Sequence, residues 1–427
     1  MTTLGRPVEL LILGAGSRGQ TYAEYTLTHP RDGLVVGVAE PDPVRRAAFA
    51  ERFHLPPERV FADWQEALAQ PKLADVAVIA TQDADHVAPV EAAASRGYHL
   101  LLEKPMAPDE AGCRRIVAAA EKAGVMLGVC HVLRYTAYTQ ALRDVLDAGT
   151  IGQIVSVEHL EPVGYWHQAH SFVRGHWRNT QESSPMLLAK SCHDLDWLRY
   201  LVGKPCLRVS SFGSLKHFRA AEQPPGAAKR CLYCPPEIES ACAYSAKRYY
   251  LGQLEIGNTG WPLNVITDDI TRNGVIEALR DGPYGRCVYA CDNDVVDHQV
   301  ANFEFEGGVT ASFTMTAFTR ARGRETRIFG TRGEIYGDSQ TIQIYDFLTE
   351  TTTTLDTAVA SDGSILSGHG GGDDGLMKAF LNAVRQGNPA LILSGPEETL
   401  QSHLMVFAAE RARTEGRVVA VNDLARL

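Results

Sequence analysis

The chain has 427 residues, 45% of them hydrophobic, 22% charged and 8% aromatic, which is enough apolar mass for two or three domains and the wrong composition for a fibre, a coiled coil or a disordered tail. Its 41 Lys and Arg against 51 Asp and Glu leave a formal charge of −10, which repels a phosphate backbone and argues against nucleic acid as a partner. No apolar run reaches the ~18 residues of a membrane span and no signal-like segment opens the chain, so the expectation is a cytoplasmic protein without a membrane partner.

Residues 8–13 (VELLIL) form a strand-length apolar run that stops at GAGSRG, after which the periodicity becomes helical. The pattern recurs: strands at 34–40, 76–80, 98–105 and 125–130, helices at 43–53, 86–97 and 109–124, with Pro43 and Asp109 opening helices and Gly97 closing one. Strict alternation up to about residue 130 predicts a doubly wound parallel sheet covered on both faces. Beyond a helix at 138–148 the strands lengthen and alternate polar with apolar, as in 153–162, 295–308 and 309–318, with Gly307 and Gly308 turning a hairpin. This predicts an α/β fold in two parts: residues 1–130 with the parallel sheet and residues 131–427 with a large, mostly antiparallel open sheet. Further helices are expected at 186–201, 271–279, 376–386 and 396–415, and a last strand at 417–421.

Gly14, Gly16 and Gly19 form G-x-G-x-x-G between a predicted strand and a predicted helix, with Ser17 and Arg18 inside the turn. In that context the first glycine permits the turn, the second lets backbone approach a pyrophosphate, and the helix start offers free N–H groups. Glu40 closes the second strand 21 residues after Gly19, where a carboxylate accepts from a ribose diol and repels a 2′-phosphate, so NAD is favoured over NADP. Arg45 and Arg46 lie nearby and soften that preference.

From Glu103-Lys104-Pro105 at the end of the strand at 98–105, the sequence resembles the glucose-fructose oxidoreductase/inositol dehydrogenase/MocA (Gfo/Idh/MocA) family. The ordered series GAGSRG, VAEPDPVRR, VIATQDADHV, EKPMA, RYTAYTQALRDVLDAGTIGQI and CHDLDWLRYL carries the resemblance over nearly the whole chain. It implies a Rossmann domain for NAD, and a C-terminal domain whose sheet carries the substrate pocket and joins protomers into a homodimer or homotetramer. It places Thr81, His86 and Glu103 with the cofactor, Arg134 with the substrate, and Lys104 beside substrate and nicotinamide as a group that eases proton loss from the reacting hydroxyl. His193, followed by Asp196, matches the family's acid/base histidine. Ala189 stands where the family has an aspartate four residues earlier, flanked by Lys190 and Asp194 as substitutes.

Residues 164–179 gather Tyr165, Trp166, His167, His170, Arg174, His176, Trp177 and Arg178, either as flat faces and hydrogen-bonding groups for a pyranose or as a packed surface loop. Three histidines there lack an acid or cysteine at ligand spacing. His369 and Asp373, in the Gly-rich stretch 367–374, are placed near the pocket by the resemblance; Asn293 and His298 are weaker candidates. A Cys-rich insertion at about 217–245 holds Cys231, Cys234 and Cys242, which with His217 fit one structural zinc or remain reduced thiols. Its prolines and few large apolar residues leave no core pattern of its own. The other cysteines (Cys113, Cys130, Cys192, Cys206, Cys287, Cys291) read as structural thiols. Together these features point to an NAD-dependent oxidoreductase acting on a secondary hydroxyl of a sugar, glycoside or cyclitol. The alternatives are a glycoside hydrolase or lyase using transient oxidation, and a non-catalytic dinucleotide-binding regulator.

Overall fold

The computed structural model describes residues 5–358 and 369–422. The first six strands are β1 (Val8–Leu13), β2 (Gly33–Ala39), β3 (Val60–Phe61), β4 (Val76–Ile79), β5 (His99–Leu102) and β6 (Leu127–Val129). They form one sheet in the order β3-β2-β1-β4-β5-β6, every pair parallel. All four residues of β4 are fully buried, which is why this strand reads as an unbroken apolar run. The helices Ser17–Thr28, Pro43–Arg52, Val87–Ser95 and Glu110–Ala123 cross between strands. Asp42 accepts from the Val44 and Arg45 amides and Asp109 from the Gly112 amide, so both helix starts are capped. Because the strand order reverses between β1 and β4, the chain leaves a crevice at their carboxyl ends, and the predicted cofactor loop lies there.

The second sheet contains β7 (Ile154–Pro162), β8 (Cys206–Ser214), β9 (His298–Phe305), β10 (Thr310–Thr316), β11 (Glu325–Gly330), β12 (Gly333–Gly337), β13 (Thr341–Asp346), β14 (Thr351–Asp356) and β15 (Val419–Ala420). Its order is β14-β13-β12-β11-β7-β10-β9-β8-β15, antiparallel except where β7 meets β10. Burial alternates along β9 and β10, so one face carries the core while the other leaves Phe212 at 68% exposed. The helix Pro396–Glu415 contributes Leu400, Leu404 and Val406 to a core shared by both sheets, and the helix Gly372–Gln386 packs Leu376 and Phe380 with Leu10 and Ile12 of β1. The first of these clusters runs from one sheet to the other, which holds the crevice against the second sheet.

Two expectations are corrected. The helix expected at 186–201 breaks into Met186–Ala189 and Cys192–Val202, because Ser191 leaves the helical region with φ −95° and ψ 7°. The Cys-rich insertion is also larger than expected and has a core: the chain between β8 and β9 forms the helices Pro236–Ala241, Ala246–Glu255, Leu263–Ile266 and Arg272–Asp281. Tyr250, Leu251, Leu263, Val275 and Leu279 pack together with Cys231, so apolar burial orders this lobe. The apolar partners lie beyond residue 245, outside the stretch whose composition looked too poor to pack.

Candidate active site

The glycines of the first turn separate into two kinds. Gly14 has φ +96°, and a Cβ on it would lie 2.5 Å from the Ala80 carbonyl oxygen; one on Gly19 would lie 2.0 Å from the Gly14 oxygen. Those two are required by the fold itself. A Cβ on Gly16 would meet only the Arg45 guanidinium, at 3.7 Å, so the backbone there faces open space at the start of the helix Ser17–Thr28, as an approaching pyrophosphate needs. Glu40, the first residue after β2, has one oxygen accepting from the Ala15 amide at 2.7 Å and the other from the Asp42 amide at 3.0 Å. Thr81 Oγ1, just past β4, is buried without a hydrogen-bond partner. The residues present therefore fit a dinucleotide.

Three residues expected at the cofactor are engaged by the protein instead. His86 is fully buried, with Nδ1 2.8 Å from the Pro105 carbonyl oxygen, so it holds the segment behind Lys104. Glu103 accepts from Arg18 Nε at 2.6 Å, from the Tyr22 hydroxyl and from the Lys104 amide at 2.7 Å. Arg18 also pairs with Asp373, whose other oxygen lies 2.9 Å from His369 Nδ1. This buried network ties the first helix, the end of β5 and the helix Gly372–Gln386 together around Lys104. Ser367 and Gly368 of the Gly-rich stretch lie outside the described residues.

Lys104 Nζ donates to the Ala189 carbonyl oxygen at 3.0 Å. That oxygen is available because it ends a short helix and has no intrahelical partner; the backbone thus supplies an acceptor at the position where the family aspartate is missing. His193, two residues after Ser191, is 5% exposed and its Nδ1 has no partner. Its ring lies 5.6 Å from that of His131 and 5.8 Å from that of His369. Burial, then the Lys104 ammonium and the neighbouring rings, hold His193 well below the usual histidine range, so it is neutral at pH 7 and the expected ionisation near neutrality is displaced downward.

The flanks are lined by charges that sequence reasoning named only in part. Lys190 Nζ lies 3.1 Å from Glu161 Oε1, and Arg324 Nε lies 2.9 Å from Glu161 Oε2 while donating to Asp194. An Arg Nε carries one hydrogen, which leaves Glu161 Oε2 without a donor, as observed. Burial opposes ionisation of Asp194, but Arg324 and His159 outweigh it and keep its carboxyl well below the ordinary range; Asp194 is thus committed to Arg324 and does not replace the missing aspartate. Around the crevice the cations Lys104, Lys190, Arg18 and Arg324 are balanced by Glu103, Glu161, Asp194 and Asp373. A cavity of about 710 Å³ opens beside His369 and Arg324, lined also by Tyr138, Thr139, Tyr336 and Gln340. Glu161 and Arg324 left no sequence signal beyond lying at strand ends, since their partners come from other elements.

Other expected substrate residues divide. Tyr165 is 39% exposed and Trp166 packs on His167, Tyr249 and Trp261, the last two supplied by the inserted lobe. Arg134 is corrected: it is 1% exposed and grips Asp196 through two bonds of 2.7 Å, so it is a core ion pair. Trp177 donates to Asp83 across the two sheets' domains at 3.2 Å, and Arg178 pairs with Asp292 and Glu182; neither turns to Lys104. The zinc expectation is also corrected. Among the described residues no three His, Cys, Asp or Glu side chains converge as a metal needs; Cys231 lies under Arg174, and His217 Nε2 meets the Tyr289 hydroxyl at 3.0 Å. Asn293 donates to the Phe218 carbonyl and His298 pairs with Asp297.

Comparison with known proteins agrees with this fold. Residues 8–131 match a family model described as oxidoreductase family, NAD-binding Rossmann fold, and residues 143–421 match the model of its C-terminal alpha/beta domain. YteT of Bacillus subtilis (strain 168) is 24% identical over 409 residues, covering 91% of this chain and 92% of that protein. The inositol 2-dehydrogenase of Acidothermus cellulolyticus is 28% identical over 218 residues, covering 50% of this chain and 59% of that one. Among solved structures, a levoglucosan dehydrogenase in complex with NADH superimposes with a TM-score of 0.70 at 19% identity, covering 97% of this chain and 99% of that chain. Among the described residues no helix is long and apolar enough to cross a membrane.

Proposed function

Because the chain belongs to the Gfo/Idh/MocA oxidoreductase family, we propose that it is an NAD-dependent dehydrogenase of a neutral polyol: a sugar, glycoside or cyclitol oxidised at a secondary hydroxyl. The observation that carries this reading is the pairing of Lys104, held against the Ala189 carbonyl, with the unpartnered Nδ1 of the neighbouring His193. One ammonium hydrogen is committed to that carbonyl, leaving two for the oxygen of a bound alcohol. Donation from Lys104 favours the alkoxide, and the neutral imidazole of His193 offers a lone pair or an N–H to the same hydroxyl according to its tautomer. Gly14, Gly16, Ser17 and Gly19 would hold the pyrophosphate, with Glu40 at the ribose and Thr81 alongside; when bound, NAD supplies the hydride acceptor. The balance of four cations and four carboxylates favours an uncharged substrate, and Tyr165 and Trp166 offer apolar faces to its C–H groups. The exposed face of the second sheet, with Phe212 and Val300, is where protomers would join.

A panel of sugars, glycosides and cyclitols with NAD⁺, followed for both NADH and released aglycone, tests the reading. Net NADH formation is expected. Aglycone release without NADH would replace it with redox-neutral hydrolysis, and NAD binding with no turnover on any of the panel would favour a regulator.

A further inference from the structure

Behind the aromatic wall, at the junction of residues 174–178 with the inserted lobe, four guanidinium groups converge on a second cavity of about 450 Å³: Arg174, Arg178, Arg230 and Arg286, beside Tyr284 and Asp281. Their charges are unevenly compensated. Asp292 Oδ1 lies 2.9 Å from Arg178 Nε and 2.6 Å from Arg286 Nη1, and Glu182 lies 2.8 Å from Arg178, so these two arginines face two carboxylates. Arg174 is 3% exposed and donates only to neutral acceptors, the Arg286 and Tyr244 carbonyls at 2.7 Å and the Cys231 sulfur. Arg230 donates to the Leu279 carbonyl at 3.0 Å and to the Gly282 carbonyl, while its Nε is buried without a partner. Asp281 also lines the cavity, but its side chain is 79% exposed and its nearest cation is Arg280 at 3.9 Å, so it screens the pair weakly.

Two partly buried guanidiniums with neutral acceptors and spare N–H groups are costly unless an anion completes them, and a fork of N–H donors matches a phosphate's oxygens. We propose that this cavity binds a phosphate group, as the free anion or as a phosphate monoester, for which the remaining volume has room. The site backs onto the substrate side: the Tyr284 ring stacks on that of His170 at 4.8 Å, and His170 meets Trp261 edge-on at 5.2 Å. An occupant would therefore stiffen the wall carrying Trp166 and Trp261 without entering the crevice of Lys104.

The test is calorimetric titration of the whole chain with inorganic phosphate and, separately, with glycerol phosphate, under saturating NAD so that the Gly16 loop is occupied, and against chloride of equal ionic strength. The expected result is saturable binding near one per chain, weakened about tenfold or more in Arg230→Gln and in His176→Glu. His176 is an exposed residue of the cavity rim, so its substitution adds a repelling carboxylate without removing a structural bond and reads the site even where Arg230→Gln fails to fold. Tighter binding of glycerol phosphate identifies a phosphorylated metabolite as the occupant; equal affinity identifies the free anion. No binding in the wild type, or unchanged binding in His176→Glu, would overturn the proposal.

Discussion

The Lys104 ammonium donates to the main-chain oxygen of Ala189 at 3.0 Å, so a backbone carbonyl, freed by a helix break, orients the lysine. A carbonyl has no ionisation of its own, and it cannot be removed by mutation of residue 189. Ala189→Asp would instead add a charge beside Lys104 and His193. Lys104→Met is expected to lower kcat by about 10² to 10⁴ while leaving NAD affinity within a few-fold, because the proposed role of the lysine is at the reacting hydroxyl and not at the glycine loop. Turnover and NAD fluorescence titration measured on one preparation decide it; activity within tenfold of wild type would place the chemistry elsewhere.

Burial, above all, lowers His131 and His170 to about 3 and His403 to about 4, and with the help of Lys104 it holds His193 well below the usual range. The unfolded chain takes up these protons near pH 6.5 while the folded chain does not, so stability is fully present above that pH and is lost as pH falls below it. Each such histidine contributes a slope of ~1.4 kcal/mol per pH unit in that window. Denaturant midpoints should be flat from pH 7 to 8 and fall steeply from 6 to 5. A midpoint independent of pH across that lower range would show the imidazoles to be solvated.

Arg134→Ala should cost about 3–5 kcal/mol, since it strands the Asp196 carboxylate in the core. Residual folded enzyme should keep its substrate KM. A raised KM with unchanged stability would return Arg134 to the substrate pocket.

Glu40→Ser is expected to weaken NAD and to narrow its advantage over NADP, because it removes the carboxylate proposed for the ribose and its bond to the Ala15 amide. Cofactor dissociation constants measured for both nucleotides test this. Wild-type binding of NADP as tight as of NAD would end the assignment.

The inserted lobe should need no metal. Chelation is expected to leave the melting temperature unchanged, whereas Leu279→Ala should destabilise the lobe by about 2–5 kcal/mol through loss of buried contacts. A fall in melting temperature on chelation, restored by zinc, would revive the cysteine site.

The parallel sheet and the glycine loop were legible in the sequence because their causes are local. An unbroken apolar run is a strand buried on both faces, and G-x-G-x-x-G between strand and helix marks a turn in which Gly19 leaves no room for a side chain against the Gly14 oxygen; the clash that fixes Gly14, with Ala80 beyond β4, came only with the sheet. Lys104 and His193 entered as candidates for a different reason, as matches to an ordered family series. What depended on partners distant in the chain was not legible. Arg134 looked like a substrate residue until Asp196 closed on it from another helix, and the three lobe cysteines looked like ligands until Tyr250, Leu263 and Leu279 supplied a core beyond them. The acceptor that Lys104 meets is a carbonyl, which every residue carries, and only the break after Ala189 frees that carbonyl for it. Periodicity and turn chemistry act within a few residues and so appear in the sequence; the pairing of buried charges is decided by which elements the tertiary fold brings together.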